Sequence, residues 1–164
     1  GAVCRVMDGD GQNEPRDFPR LLGELESGGA DVVCGWRARR MDTRGRRAAS
    51  RIANRVRRMI LRDGVRDTGC SMKVFRRQAV QSLVLFNGMH RFMPAFFRRA
   101  GLSIRELPVR HRPRLAGSSK YSIGGRALRG LYDVFGVQWL LRRVVGPPKT
   151  QEPSRFNNPA RRRM

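Results

Sequence analysis

The chain has 164 residues, enough for one domain with a real core, and its 40% hydrophobic content excludes a wholly disordered chain. Its 35 Lys and Arg outnumber 13 Asp and Glu, and the resulting net charge of +22 indicates an anionic partner: nucleic acid, an anionic membrane surface or phosphorylated small molecules. The longest apolar runs have only a few residues, too short to span a bilayer. Three widely spaced cysteines are typical of buried thiols in a reducing compartment.

The first part of the sequence alternates strand and helix patterns. Residues 2–7 predict a strand, residues 17–27 a short helix closed by two glycines, and residues 31–36 a second apolar strand. A long helix is predicted over residues 44–62, because apolar residues recur there with the 3.6-residue period and arginines cover the other face. The apolar positions of that helix are Ala49, Ile52, Ala53, Val56, Met59 and Ile60.

The second part continues the alternation, which indicates an α/β layer fold. The predicted elements are a loop at 66–71, a short strand at 72–75, helical segments at 77–85 and 90–100, and a strand at 103–110. Pro108 favours an edge position for that last strand, because proline donates no ladder hydrogen bond. These elements divide the chain into three predicted regions: a partial domain over 1–122, an amphipathic helix over 123–145, and a disordered basic tail over 146–164.

A pair of carboxylates, Asp8 and Asp10, follows the first predicted strand. The carboxyl ends of strands are where open α/β sheets bind ligands, and two acidic residues around a glycine can share one hard cation. A calcium-binding EF-hand loop is excluded, because the positions that need glycine and glutamate hold Asn13 and Pro19. A metal or diphosphate site and a plain Asp/Gly turn both remain open on spacing alone.

Six ordered segments within residues 2–142 resemble family 2 glycosyltransferases of the dolichyl-phosphate mannose synthase type. They read VMDGDGQNEPRDFPRLL, DVVCGWR, SRIANRV, DTGCSMKVFRR, HRFMPAFFRRAG and ELPVRHRPRLAGSSKYS. The resemblance implies the carboxy-terminal portion of a GT-A (Rossmann-like) domain. It also implies inverting transfer of a sugar from a nucleotide-diphosphate donor to a polyprenyl phosphate, dolichyl or undecaprenyl.

The resemblance also implies site residues. Asp8, Asp10 and Gln12 match the positions that hold Mg²⁺ or Mn²⁺ against the diphosphate, and Asp10 would act directly in catalysis. Four basic residues match positions that bind the donor and acceptor phosphates: Arg37, Arg51, Arg114 and Lys120.

Asp67 matches an acidic position that would orient the acceptor or take up a residual proton. An Asx-type turn is the alternative for this residue. His90 and His111 also match family motifs, and we expect them to position or pack rather than to catalyse.

The chain departs from the family pattern at its beginning, because two nucleotide-binding strands that open the family domain have no counterpart in it. We therefore expect these residues alone to expose a sheet edge, to be poorly stable and to be inactive. The helix at 125–143, with Leu128, Leu131, Tyr132, Phe135, Trp139 and Leu140 on one side, either lies in a membrane interface or covers the domain. The resemblance predicts peripheral attachment to the cytoplasmic face of a membrane.

Two alternatives to polyprenyl-phosphate transfer stay open. One is a glycosyltransferase that acts on a glycan hydroxyl. The other is a nucleic-acid-binding protein, which only the charge favours, because aromatic residues make up 7% and do not alternate with basic residues as a base-stacking surface would require. We expect no nucleic-acid partner.

Overall fold

The computed structural model describes residues 2–38, 44–112 and 123–144. These residues form one mixed sheet with helices on both faces. The strands are β1 (Val3–Val6), β2 (Val32–Arg37), β3 (Lys73–Arg76) and β4 (Ile104–Val109). The α-helices are α1 (Phe18–Glu26), α2 (Arg44–Leu61), α3 (Met93–Arg99) and α4 (Ile123–Arg143), and short 3₁₀-helices cover Pro15–Asp17, Arg77–Ser82 and Met89–Arg91.

The strand order is β1-β3-β2-β4. Strand β3 runs antiparallel to both of its neighbours, whereas β2 and β4 are parallel. The strands β1, β2 and β4 therefore finish at the same end of the sheet, where β3 begins. We call this the polar end of the sheet: it comprises residues 7–14, Arg37, residues 62–72 and residues 110–112.

Two apolar layers cover the sheet. On one face, Leu21 and Leu25 of α1 pack against Val33 and Val74. On the other face, Phe97 of α3 packs with residues of β2 and β3, its ring centroid 5.1 Å from that of Phe75. A third cluster joins the ends of α2, α3 and α4. This arrangement confirms the predicted α/β layer fold, with β4 at an edge as Pro108 indicates.

Helices α2 and α4 form where the periodicity predicts them, but only part of each predicted apolar face is buried. Ile52 and Met59 of α2 are exposed, whereas Arg57 is buried. On α4, the described buried side chains belong to Val134, Val137 and Leu141, and most of the predicted apolar side faces outward. The reason is that the two helices pack mainly on each other and on α3, so one narrow stripe of each is covered.

Strand β1 forms the second edge of the sheet. A groove of about 960 Å³ runs beside it, lined by Ala2, Cys4, Arg76, Arg77, Gln78, Val80 and Gln81. Of the predicted features, Arg114, Lys120 and the tail over 146–164 lie outside the described residues.

Candidate functional site

The two acidic residues lie in a tight loop directly after β1. Asp8 is exposed and Asp10 is half-buried, and the backbone N–H of Gln12 donates a hydrogen bond of 3.1 Å to Oδ1 of Asp10. Gly11, which lies between Asp10 and Gln12, has φ of 73°, a left-handed conformation that suits glycine. The loop therefore turns back on itself and presents both carboxylates at the polar end.

Ser71 fixes this loop to the segment that precedes β3. Its Oγ accepts hydrogen bonds from the backbone N–H of Asp8 at 2.9 Å and from Nδ2 of Asn13 at 2.8 Å. Both Ser71 and Asn13 are buried. Local sequence patterns do not reveal this pair, because Ser71 and Asn13 are 58 positions apart and no periodicity connects them.

Arg37, the last residue of β2, makes a two-pronged ion pair with Asp67. Its Nε and Nη2 donate to Oδ2 and Oδ1 of Asp67 at 2.7 and 2.9 Å, in the fork geometry that arginine and carboxylate favour. Both side chains are largely buried. A Cβ on Gly69 would stand 2.6 Å from Nη2 of Arg37, so the close approach of the guanidinium requires glycine there.

His111 connects Arg37 with the acidic loop. Its Nε2 lies 3.4 Å from Nη1 of Arg37, and its Nδ1 lies 3.2 Å from the carbonyl oxygen of Gln12. The backbone N–H of Arg112 donates to the same Gln12 carbonyl at 2.8 Å. These contacts are those expected of a positioning residue.

His90 borders the same end from the α3 side of the sheet. Partial burial lowers the pKa of its imidazole, the charge of Arg91 lowers it further, and Asp8 opposes both effects. The net effect is a pKa below the ordinary value of 6.5, which favours the neutral imidazole at pH 7.

The polar end brings most of the predicted site residues together. Asp8, Asp10, Gln12, Arg37 and Asp67 lie on three of its segments, joined by the hydrogen bonds above. Arg51 is the exception: it is exposed on α2, and none of the described contacts joins it to the polar end.

The donor set at the acidic loop fits a hard divalent cation. Within the described part of the chain, no group of three or more His, Cys, Asp or Glu side chains forms a closed metal site. Nevertheless, Mg²⁺ is commonly bound by one or two carboxylates when a substrate phosphate supplies further oxygen ligands. The residues present therefore fit a cation shared with a phosphate ligand.

Helix α4 carries exposed aromatic side chains although it cannot cross a membrane. Among the described residues, no helix combines the length and apolarity that a bilayer span needs. Phe135 and Trp139 are 57% and 58% exposed, and Arg143 lies over the Trp139 ring at 4.7 Å. Such a patch on a basic helix is typical of an interaction surface.

Comparison with known proteins assigns a family. The family model described as "Glycosyl transferase family 2" matches residues 1–84, just over half of the chain. The chain is 36% identical over 150 residues to a dodecaprenyl-phosphate galacturonate synthase of Rhizobium johnstonii, covering 90% of this chain and 44% of that protein.

Two further relatives carry one name, undecaprenyl-phosphate 4-deoxy-4-formamido-L-arabinose transferase. They come from an Enterobacter species and from Yersinia pestis, and each is 32% identical over 134 residues, which is 82% of this chain and 40% of the relative. The chain spans less than half of the length of these relatives. The match over residues 1–84 includes the acidic loop, Arg37 and Asp67, and the predicted resemblance is confirmed: the chain belongs to glycosyl transferase family 2.

Proposed function

We propose that this chain provides the metal- and phosphate-binding part of an enzyme that transfers a sugar from a nucleotide-diphosphate donor to a polyprenyl phosphate. The observation that carries the proposal is that the loop with Asp8 and Asp10 meets the largely buried Arg37 at one end of the sheet. The names of the three relatives, which mention dodecaprenyl or undecaprenyl phosphate, support the choice of acceptor.

Asp8 and Asp10 would hold Mg²⁺ or Mn²⁺ against the donor diphosphate, with Gln12 beside them. The bound cation would neutralise negative charge as the nucleoside diphosphate leaves. Carboxylates that stand on a fixed loop need little rearrangement for this role, which is the condition for strong electrostatic stabilisation.

The acceptor needs little activation. The acceptor, a polyprenyl phosphate, is a phosphate monoester with a second pKa of about 6, so it is largely dianionic at neutral pH. An acceptor oxygen attacks the anomeric carbon, the bond from that carbon to the β-phosphate oxygen breaks, and the configuration inverts. Asp67 orients Arg37 toward the phosphates in this proposal, and its bidentate pairing favours that role over proton uptake.

Further cations complete the proposed phosphate site. Arg114 and Lys120 would join Arg37 around the donor and acceptor phosphates, because several converging cations stabilise the charge of two phosphate-bearing substrates. Arg51, which is exposed on α2, is left out of this proposed set. A transferase that acts on a glycan hydroxyl would need a general base, whereas the carboxylate of Asp67 is paired with Arg37. This pairing favours the phosphate acceptor.

The test is a transfer assay with the full-length gene product. We expect labelled sugar to move from nucleotide-diphosphate donors to undecaprenyl phosphate, and we expect transfer to stop with EDTA and to return with Mg²⁺ or Mn²⁺. Transfer to a glycan hydroxyl with no transfer to polyprenyl phosphate would refute the proposed acceptor. Transfer that persists in EDTA would refute the proposed metal.

We further propose that the protein attaches peripherally to the cytoplasmic face of a membrane through α4. The exposed Phe135 and Trp139 and the basic Arg142 and Arg143 form an amphipathic surface of the kind that lies in a lipid interface. A polyprenyl phosphate presents its head group at that interface, so attachment would bring acceptor and site together.

Replacing both Phe135 and Trp139 by serine should weaken binding to anionic phosphatidylglycerol vesicles by at least about tenfold. Burying one large apolar side chain contributes about 1.5 to 3 kcal/mol, and 1.4 kcal/mol corresponds to a factor of ten. Co-sedimentation measures the partition coefficient. The control is Leu85→Ser, which removes a side chain that is 84% exposed but lies off α4. Equal binding of the double variant and the control would end the proposal.

A further inference from the structure

The segment over residues 62–71 carries Asp67 to the polar end without regular helix or strand structure. Turn hydrogen bonds within the segment shape it locally, and side chains from elsewhere in the fold hold it in place. Glu106 of β4 provides the contacts next to Asp67. Its Oε1 and Oε2 accept the backbone N–H of Arg66 at 2.9 and 3.0 Å, and Oε1 also accepts the N–H of Asp67 at 3.4 Å.

A second charged side chain holds the other end of this segment. Lys73 of β3 is 1% exposed, and its Nζ donates to the carbonyl oxygen of Cys70 at 2.7 Å. The strand register places Lys73 and Glu106 on either side of Cys34 in one cross-strand row. A carboxylate thus accepts the N–H groups at Arg66 and Asp67, while an ammonium donates to the carbonyl three residues later.

The charges on these two side chains match the backbone groups they contact. A half-buried carboxylate is costly to keep ionised, and burial raises the pKa of Glu106, whereas the two N–H groups lower it. The described hydrogen bonds of Glu106 go to the backbone of Arg66 and Asp67, and that of Lys73 goes to Cys70. Glu106 therefore reaches the Asp67–Arg37 ion pair through this backbone. A neutral side chain in place of Glu106 would lose the charged acceptor for the backbone N–H groups of Arg66 and Asp67.

We propose that Glu106 is a positioning residue that acts on the phosphate-binding Arg37 through the backbone of Arg66 and Asp67. The proposal rests on the proposed function for its kinetic consequence, but not for its structural one. Loss of the Glu106 contacts shifts Asp67, and the guanidinium that Asp67 holds moves with it. A displacement of about 1 Å at a reacting group lowers rates by up to about a hundredfold.

The test uses Glu106→Gln in the full-length gene product, with Glu24→Gln as the matched control. Glu24→Gln also removes a carboxylate that pairs with a residue of β4, in this case Arg105. Glu24 belongs to α1, however, and lies away from the polar end. We expect kcat/KM to fall about tenfold to a hundredfold for Glu106→Gln and to stay near the wild-type value for Glu24→Gln. Equal rates for the two variants would overturn the proposal.

A double-mutant cycle separates positioning from general loosening of the fold. If Glu106 acts through Arg37, Glu106→Gln combined with Arg37→Lys should be little worse than Arg37→Lys alone. Multiplying losses would overturn the proposal. Glu106→Asp keeps the charge on a shorter side chain and should give a smaller loss in the same direction.

A spectroscopic readout is independent of catalysis. The Nε–H group of Arg37, hydrogen-bonded to Asp67, should give a slowly exchanging ¹⁵N signal that is broadened or lost in Glu106→Gln and kept in Glu24→Gln. An unchanged signal overturns the positioning role even if the enzyme is inactive. Loss of the signal in Glu106→Gln, together with a wild-type protein that transfers no sugar, would refute the proposed function and leave the positioning of Asp67 supported.

Discussion

Asp10→Asn should lower sugar transfer by about a hundredfold to a thousandfold and remove Mg²⁺-dependent binding of a nucleoside diphosphate. The substitution is selective, because asparagine keeps an oxygen that can accept the Gln12 N–H and so preserves the loop. Only the negative charge is lost. Removal of one fixed group that stabilises transition-state charge typically costs this much in rate.

Calorimetry with a nucleoside diphosphate, in the presence and absence of Mg²⁺, measures the binding part of this prediction. Asp31→Asn is the control, since Asp31 is paired with Ser103 at the opposite end of the sheet. A wild-type metal response in Asp10→Asn would show that this carboxylate does not hold the cation. A loss in both variants would point to damage of the fold.

Asp63→Asn should lower the free energy of unfolding by about 3 to 5 kcal/mol, because it leaves the buried Arg57 without its counter-charge. Asp63 is 0% exposed, and its carboxylate lies 3.3 Å from Nε of Arg57. Burial raises the pKa of Asp63 and lowers the pKa of Arg57, so in both groups desolvation outweighs the attraction between the charges. Arginine cannot release its proton at neutral pH, and the variant keeps the full charge buried.

The reciprocal variant, Arg57→Met, should cost less, because Asp63 can take up a proton. Its pKa in the folded chain lies above its unfolded value, so the protonated form favours folding. The destabilisation is relieved below the ordinary carboxyl pKa and grows as the pH rises through the raised pKa. Urea unfolding at several pH values measures both variants. A pH-independent loss in Arg57→Met, or a smaller loss in Asp63→Asn, would contradict this account.

Local sequence patterns predict the elements well and their packing poorly. The 3.6-residue period places α2, and the acidic pair and its motif place Asp8 and Asp10 after β1. The period does not reveal that Ile52 faces outward while Arg57 is buried, because burial depends on Asp63 and on where α4 packs. Nothing in the sequence around Arg57 indicates that its side chain pairs with the buried Asp63.

The same limit applies to the candidate site. The resemblance names Arg37 and Asp67 but not their pairing, which depends on how β2 meets the segment before β3. Ser71 and Glu106 lie within segments that carry the resemblance, but no role is predicted for either, because only the folded sheet brings them to the backbone groups that they bind. Contacts between distant segments follow from topology rather than from neighbouring residues.

The hydrogen bonds that build the polar end join residues very far apart along the chain. Asp8 and Ser71 are separated by 63 positions, and Gln12 and His111 by 99. Such contacts close large loops, so we expect them to form after the strands have assembled and the site to be completed late in folding. On this expectation a partly folded chain would not present the site. A ligand that spans the acidic loop and Arg37 would in turn hold distant segments together, and its binding free energy would add to the stability of the whole sheet.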